Sequence, residues 1–257
     1  MTVSVDTAVA RMIASRKSGQ KIAPLSDEGD LSIEDGYTIQ GAFRAKLISQ
    51  GKKPIGWKLA ATGPVGRELL GVPEPIFGFL FPESYGNGAK VSDAGFVELH
   101  VEAEIAFRLA HELAGPNVDA TASKRAIDCV MPAFELADLS FTSMPPPADM
   151  IANGALGAAV LLGEPIALAD DLDLSQETII FEQNGQIVST TQGKDIMGNP
   201  LNALAWLANQ LADRGEHLQP GDIVMTGGVS KLIRPNVGDA LSANFSRLGK
   251  VHMTIAK

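Results

Sequence analysis

Residues 97–110 read VELHVEAEIAFRLA, and their pattern sets the fold class. Val97, Leu99, Val101, Ala103, Ile105 and Phe107 fall at every second position, with Glu98, His100, Glu102 and Glu104 between them. A period of two is that of an extended strand with one apolar face, whereas an amphipathic helix would repeat every three or four residues. Outward from this strand, short β-like runs separated by Gly and Pro follow one another: GWKLAAT (56–62), PAFELAD (132–138), GAAVLLG (157–163), TIIFEQ (178–183), QIVST (186–190), DIVMTG (222–227), ALSANF (240–245) and KVHMTIA (250–256). Asn184-Gly185 between two of them is a two-residue hairpin signal, and Leu248-Gly249 is expected to turn the last pair.

The first fifty residues differ. Residues 4–17 and 33–50 place apolar side chains at helical spacing, the second run opening on Ser32 as N-cap with Asp35 at N3. Between them, residues 18–30 (SGQKIAPLSDEGD) form a loop. Two more helices are predicted, near 120–130 and from Pro200 to Arg214, with Gly215 stopping the latter. The class is α+β: a mixed, largely antiparallel sheet over residues 55–257 with an N-terminal helical layer over 1–54, read as a single domain.

Composition narrows the function. With 21 Lys+Arg against 30 Asp+Glu the formal net charge is −9, so a phosphate backbone gains nothing by counterion release and nucleic acid is not an expected partner. The lone Cys129 can close no intrachain disulfide, which fits a reducing cytoplasm. Asp6 and Arg11 interrupt the N-terminal apolar run that a secretory signal needs, and no apolar stretch approaches the ~20 residues that span a bilayer, so no membrane is expected. Phosphate-binding loops, nucleophile elbows, dinucleotide fingerprints and paired helical histidines are all missing from the sequence.

The chemistry must come from elsewhere. Glu102 and Glu104 point the same way, roughly 7 Å apart at their backbones for a rise of ~3.3 Å per residue. Two carboxylates so placed can converge on one cation, although a strand with a solvated polar face looks identical. Glu135 is a lone carboxylate in an otherwise apolar run, where ionisation is unfavourable without a partner. Three carboxylates together make a hard-oxygen site for Mg²⁺ or Mn²⁺ with open positions for a chelating substrate. Lys58, flanked by apolar residues, is the candidate proton carrier, against the alternative of an ordinary edge-strand lysine. Thr226-Gly227-Gly228 after a strand either brings backbone N–H groups to a substrate carboxylate or is a plain turn. His100 shares the face with the glutamates but reads as a surface histidine, and Trp57 and Trp206 read as packing anchors.

These segments, in this order, resemble the hydratase/decarboxylase branch of the fumarylacetoacetate hydrolase superfamily along nearly the whole chain. The likeness rests on IAPLSD (22–27), GWKLAAT, LLGVPEPIFGFLF (69–81), HVEAEIAF (100–107), PAFELAD, residues 198–228 (GNPLNALAWLANQLADRGEHLQPGDIVMTGG) and Gly238-Asp239. It implies the fumarylacetoacetase-like C-terminal fold, a homo-oligomer, Mg²⁺ or Mn²⁺ on Glu102, Glu104 and Glu135, and an active-site Lys58. It also implies substrate contacts from Leu70, Asn153, Thr226 and Gly227. Two positions depart from the family pattern: Ile76 stands where many family hydratases carry an acid, and Asn153–Leu156 (NGAL) lacks the small hydroxyl side chain usual there.

The implied activity is that of a metal-dependent lyase acting on a 2-oxo or 2-hydroxy dienoate of aromatic-ring degradation, resembling 2-keto-4-pentenoate hydratase. The alternatives are a 4-oxalocrotonate decarboxylase and a non-catalytic subunit that binds metal and 2-oxo acid, complexed with a pathway hydratase or decarboxylase. A C–C hydrolase of the same superfamily is disfavoured, because no His–Glu pair is recognisable as placed to activate water.

Overall fold

The computed structural model describes residues 3–81, 84–228 and 230–257. Helices α1 (Val5–Ser18) and α2 (Ile33–Ser49) open the chain. The start of α2 is written in its capping box: Ser32 Oγ accepts from the Asp35 N–H while the Asp35 carboxylate accepts from the Ser32 N–H. Such a cap contributes about 1 kcal/mol.

The strands form two sheets, where the sequence pattern had pointed to one. β1 (Gly56–Ala60), β2 (Ile76–Leu80), β3 (Ser84–Gly86), β5 (Leu99–Leu109), β6 (Ile127–Asp138), β7 (Gly157–Leu162) and β10 (Ile223–Met225) make a seven-stranded sheet in the order β2-β1-β10-β5-β6-β7-β3. β4 (Lys90–Ser92), β8 (Thr178–Gln183), β9 (Gln186–Gln192), β11 (Ala240–Phe245) and β12 (Gly249–Ala256) make a five-stranded sheet in the order β4-β12-β11-β8-β9. Among the described residues only β1/β10, β3/β7 and β4/β12 pair in parallel, so the sheets are mixed and largely antiparallel as expected.

Alternation decides which face goes where. Val101, Ala103, Ile105 and Phe107 of β5, with Phe134 and Leu136 of β6, enter one core with Phe181, Leu241, Ala243, Val251 and Met253 of the smaller sheet. Phe134 and Phe181 meet across the sheets with ring centroids 5.4 Å apart. On β1 and β2 the corresponding face takes α2, through Tyr37 on Phe77 (4.6 Å) and Phe43 on Phe79 (5.6 Å). Trp57 and Trp206 both pack edge-on against Phe77, the anchoring role expected of them.

The seven-stranded sheet curls until β2 lies against β7. Its inner face has two ends. Leu80, Ala106, Met131, Ala133, Val160, Ile223 and Met225 fill one, and Lys58, Glu102, Glu104 and Glu135 occupy the other. The polar face of residues 97–107 is therefore the lining of the curl, not a solvated surface.

Two local expectations are corrected. Among the described residues four α-helices, not two, interrupt the strands: α4 (Ala120–Ala126) and α6 (Pro200–Ala212) were expected, while α3 (Pro64–Leu70) and α5 (Pro147–Ala152) are only 7 and 6 residues long, too short to show a period. Asn184 and Gly185 turn the β8–β9 hairpin with φ of 53° and 76°, the double positive φ of a type I′ turn. The last hairpin instead turns over residues 246–248, because Gly249 already pairs with Phe245 as the first residue of β12. No helix among the described residues is long and apolar enough to cross a membrane.

Candidate active site

Register brings the carboxylates together. Glu102 on β5 lies directly opposite Glu135 on β6, and Glu104 sits two residues along on the same face. One oxygen from each of the three can be chosen so that all lie within 4.8 Å of one another. Two full negative charges at that distance repel by roughly 3 kcal/mol at an effective dielectric of ~20, and burial adds to it. Glu104 and Glu135 are fully buried and Glu102 is half-buried.

The consequences appear in the proton affinities. Burial, then the charge of Glu135, pushes Glu102 up to about 7 despite the opposing pull of Lys58. The same two causes hold Glu104 well above the ordinary carboxylate range, with Lys58 and the Gly227 N–H pulling the other way. For Lys58 burial alone would favour the neutral amine, yet Glu135, Glu104 and Glu102 together raise it above its ordinary value.

Lys58 arrives from β1, separated from β6 by the two strands β10 and β5, because the sheet curls. Its Nζ lies 2.9 Å from Glu135 Oε1 and donates to the Ala155 carbonyl at 3.0 Å, with only 3% of the residue exposed. That carbonyl is aimed by an uncommon turn: Gly154, Ala155 and Leu156 all have φ between 52° and 72°. Left-handed backbone at Ala and Leu is strained, and here it sits beside the reactive groups. Gly78 of β2 makes room for the turn, since a Cβ there would lie 2.0 Å from the Gly154 carbonyl oxygen.

A cavity of about 180 Å³ opens on this cluster, lined by Lys58, Glu102 and Glu135 and otherwise by apolar side chains and backbone. Of the residues expected at the site, Lys58, Leu70, Glu102 and Glu135 line it. Glu104 stands behind them, its Oε2 accepting the Gly227 N–H at 2.8 Å. Thr226 and Asn153 do not line it: the Thr226 hydroxyl donates to the Ile105 carbonyl, and the Asn153 amide bonds Ser140 Oγ and Arg16. The glycines after β10 serve the glutamates. A Cβ on Gly228 would stand 2.5 Å from the Glu102 carboxyl carbon, so only glycine leaves that carboxylate its place.

Sequence reasoning missed Met150, Leu69 and Leu232 in the lining and Ala155 as the acceptor for Lys58. Leu69 and Met150 lie in the short helices α3 and α5, Leu232 in the loop after β10 and Ala155 in the left-handed turn, none of which has a sequence period. His100 does approach a carboxylate, Glu98 at 3.8 Å, but Glu98 is already paired with Lys21 (2.7 Å) and Arg234 (3.1 Å), and neither Glu98 nor His100 lines the cavity.

The donor set fits a hard divalent cation. It consists of carboxylate oxygens alone; Glu104 Oε1 and Glu135 Oε2 are buried without a hydrogen-bond partner; and three carboxyl groups face the single amine of Lys58.

Comparison with known proteins agrees. The model of the fumarylacetoacetate (FAA) hydrolase C-terminal family matches residues 67–256. The chain is 32% identical over 265 residues to a 2-keto-4-pentenoate hydratase of Burkholderia vietnamiensis, covering 99% of this chain and 98% of that one. It is 31% identical over 228 residues to a 4-oxalocrotonate decarboxylase of Pseudomonas putida, covering 88% and 86%. Among solved structures, a Pseudomonas putida 4-oxalocrotonate decarboxylase complexed with magnesium and adipate superposes with a TM-score of 0.93 at 28% identity, over 99% of both chains. Sequence and structure thus agree that this chain belongs to the fumarylacetoacetate hydrolase family, within its hydratase and decarboxylase branch.

Proposed function

We infer that the chain is a divalent-cation-dependent lyase acting on a 2-oxo or 2-hydroxy dienoate, with hydration of a 2-hydroxypenta-2,4-dienoate-like acid as the first reading. The observation that carries it is the meeting of Glu102, Glu104, Glu135 and Lys58 around one small cavity. Glu102, Glu104 and Glu135 would hold Mg²⁺ or Mn²⁺, which would supply Lewis acidity toward a bound 2-oxo acid.

The chain's own residues do the rest. Lys58 is the proton carrier in the lining, kept charged by its carboxylate neighbours and aimed by Glu135 and the Ala155 carbonyl. In hydration it delivers a proton to C5 of the dienol while the 2-hydroxyl gives up its own, leaving the 2-oxo-3-enoate, and water then adds across C3=C4 with its oxygen at C4 and a proton at C3. The apolar walls keep other water away from the conjugated chain. Decarboxylation of a 4-oxalocrotonate-like acid is the second reading, supported by the likeness to 4-oxalocrotonate decarboxylases in sequence and over the whole fold. Homo-oligomer formation, and association with a pathway hydratase or decarboxylase, belong to the same reading; sedimentation of the purified chain alone and mixed with such an enzyme tests both.

The assay is paired, with Mn²⁺ present: water addition to 2-hydroxypenta-2,4-dienoate against CO₂ release from 2-oxohex-3-enedioate. Lys58→Ala is expected to lower turnover at least ~100-fold while calorimetry shows cation affinity retained. Unchanged turnover in Lys58→Ala would remove the lysine from the mechanism. Tight binding of Mn²⁺ and oxalate with every dienoate left intact would make the chain a binding subunit instead.

A further inference from the structure

The walls of the cavity beyond the carboxylates and Lys58 fall into two apolar groups. Ile76 and Leu70 cluster with Val72, Ile151 and Ala155, and Leu156 clusters with Ala137 and Phe141. Met150 packs against both groups and closes the wall between them. At the mouth stand Leu69, 84% exposed, and Leu232, 41% exposed. Ile76 faces inward because β2 alternates: Phe77 and Phe79 turn out to α2, which leaves Ile76, Gly78 and Leu80 on the lining side.

Among the described residues, Lys58 is the only cation in the lining, and Glu135 and the Ala155 carbonyl hold it at the carboxylate end. Of the cations on bordering segments, Lys231 next to Leu232 is exposed and does not line the cavity, and the others are engaged elsewhere. Arg67 donates to the carbonyls of Ala61 and Thr62, and Lys21 and Arg234 are paired with Glu98. A 2-oxo acid whose head lies at Glu102 therefore has only hydrocarbon around its tail. A second carboxylate there would be desolvated with no partner, which is strongly unfavourable, whereas an alkyl or alkenyl tail would be desolvated with gain.

We propose that Ile76, Met150 and Leu156, with Leu69, Leu70 and Leu232 at the mouth, form a carboxylate-excluding tail pocket, so that the substrate is a monocarboxylic 2-oxo or 2-hydroxy acid with an apolar tail. The proposal rests on the reading of Glu102, Glu104 and Glu135 as the binding end for the acid head. It also decides between the two lyase readings, because a 4-oxalocrotonate-like substrate is a dicarboxylate.

The test is calorimetric, on the whole protein with Mg²⁺, using three unreactive probes: oxalate, 2-oxopentanoate and 2-oxopentanedioate. Oxalate carries the chelating head and no tail, so its failure to bind overturns the head-binding reading and the tail pocket with it. With oxalate bound, the proposal expects 2-oxopentanoate to bind at least ~100-fold more tightly than 2-oxopentanedioate. Equal affinity, or preference for the dicarboxylate, overturns the tail pocket and leaves the head-binding reading standing. Leu156→Lys, checked for an unchanged unfolding temperature, is expected to reduce the monoacid preference at least ~10-fold. An intact variant with an unmoved preference takes Leu156 out of the wall. Arg234→Ala is expected to leave the preference unchanged; a rise would show that the arginine leaves Glu98 to hold the second carboxylate, against the proposal.

Discussion

The two ends of the curled sheet share the same strands and the same inward alternation, yet their contents are opposites. Ala106, Met131, Val160, Ile223 and Met225 close one end as hydrocarbon, while at the other end Glu102, Glu104, Glu135 and Lys58 crowd three carboxyl groups and one amine together. The apolar end gains stability from every side chain it buries. The charged end is held together against its own electrostatics by the rest of the fold, which is the usual condition of a site built to take up a ligand. What a strand position contributes is therefore set by where the curl places it, not by the strand.

The sharpest way to break the contrast is one substitution at each end, measured with and without cation. Glu104→Gln keeps the shape and the acceptor for the Gly227 N–H but removes the need to ionise in a buried place. It is expected to lower Mg²⁺ affinity at least ~100-fold, and to unfold at a higher temperature than wild type without cation and a lower one with saturating cation. Met131→Ala, in the apolar end and 3% exposed, is expected to lose about 2–4 kcal/mol equally in both conditions, with cation affinity unchanged. If Glu104→Gln destabilised the cation-free protein as Met131→Ala does, the two ends would not differ in kind.

A second, smaller effect comes from pH. Glu102 and Glu104 hold protons more tightly in the folded chain than an unfolded carboxylate does, so the folded state carries more protons above the ordinary value of 4.5. The stability they lend is complete below that value and is lost as pH rises through about 7 and beyond. Chemical denaturation of the cation-free protein is expected to show stability falling between pH 5 and 8. Cation binding displaces those protons, so saturating Mg²⁺ should flatten or reverse the slope, and Mg²⁺ affinity should climb over the same interval. A flat cation-free profile would mean that the carboxylates are already compensated.

How much of this was legible in the sequence follows from the range over which each feature is decided. The period of two in residues 97–107 is local, so the shared face of Glu102 and Glu104 could be read directly; the lone Glu135 in an apolar run and the Ser32/Asp35 cap were equally local. The contact of Lys58 with Glu135 depends on a curl that carries β1 toward β6 across two intervening strands, and no local pattern encodes that. The division into two sheets escaped for the same reason, since inner and outer faces both alternate. Ile76 and Leu156 were visible as departures from the family pattern, but what they do, turning the wall to hydrocarbon, became clear only once Met150 of the short α5 appeared between their clusters.

The smallest expected effect belongs to Gly228, and it separates the needs of the fold from those of the site. The obstacle to a methyl group there is the far end of the Glu102 side chain, which can swing away, whereas at Gly78 it is the backbone carbonyl of Gly154, which cannot. Gly228→Ala should therefore change stability by no more than about 1 kcal/mol, while displacing the one carboxylate that both lines the cavity and faces Glu135, and weakening Mg²⁺ binding about tenfold. Gly78→Ala should do the reverse in emphasis, disturbing the left-handed turn and the carbonyl that holds Lys58, so that unfolding temperature falls first. Calorimetry and thermal unfolding on the two variants read the difference. If Gly228→Ala left cation affinity untouched, Glu102 would not be a ligand in the position its neighbours give it, and the site would reduce to Glu104 and Glu135.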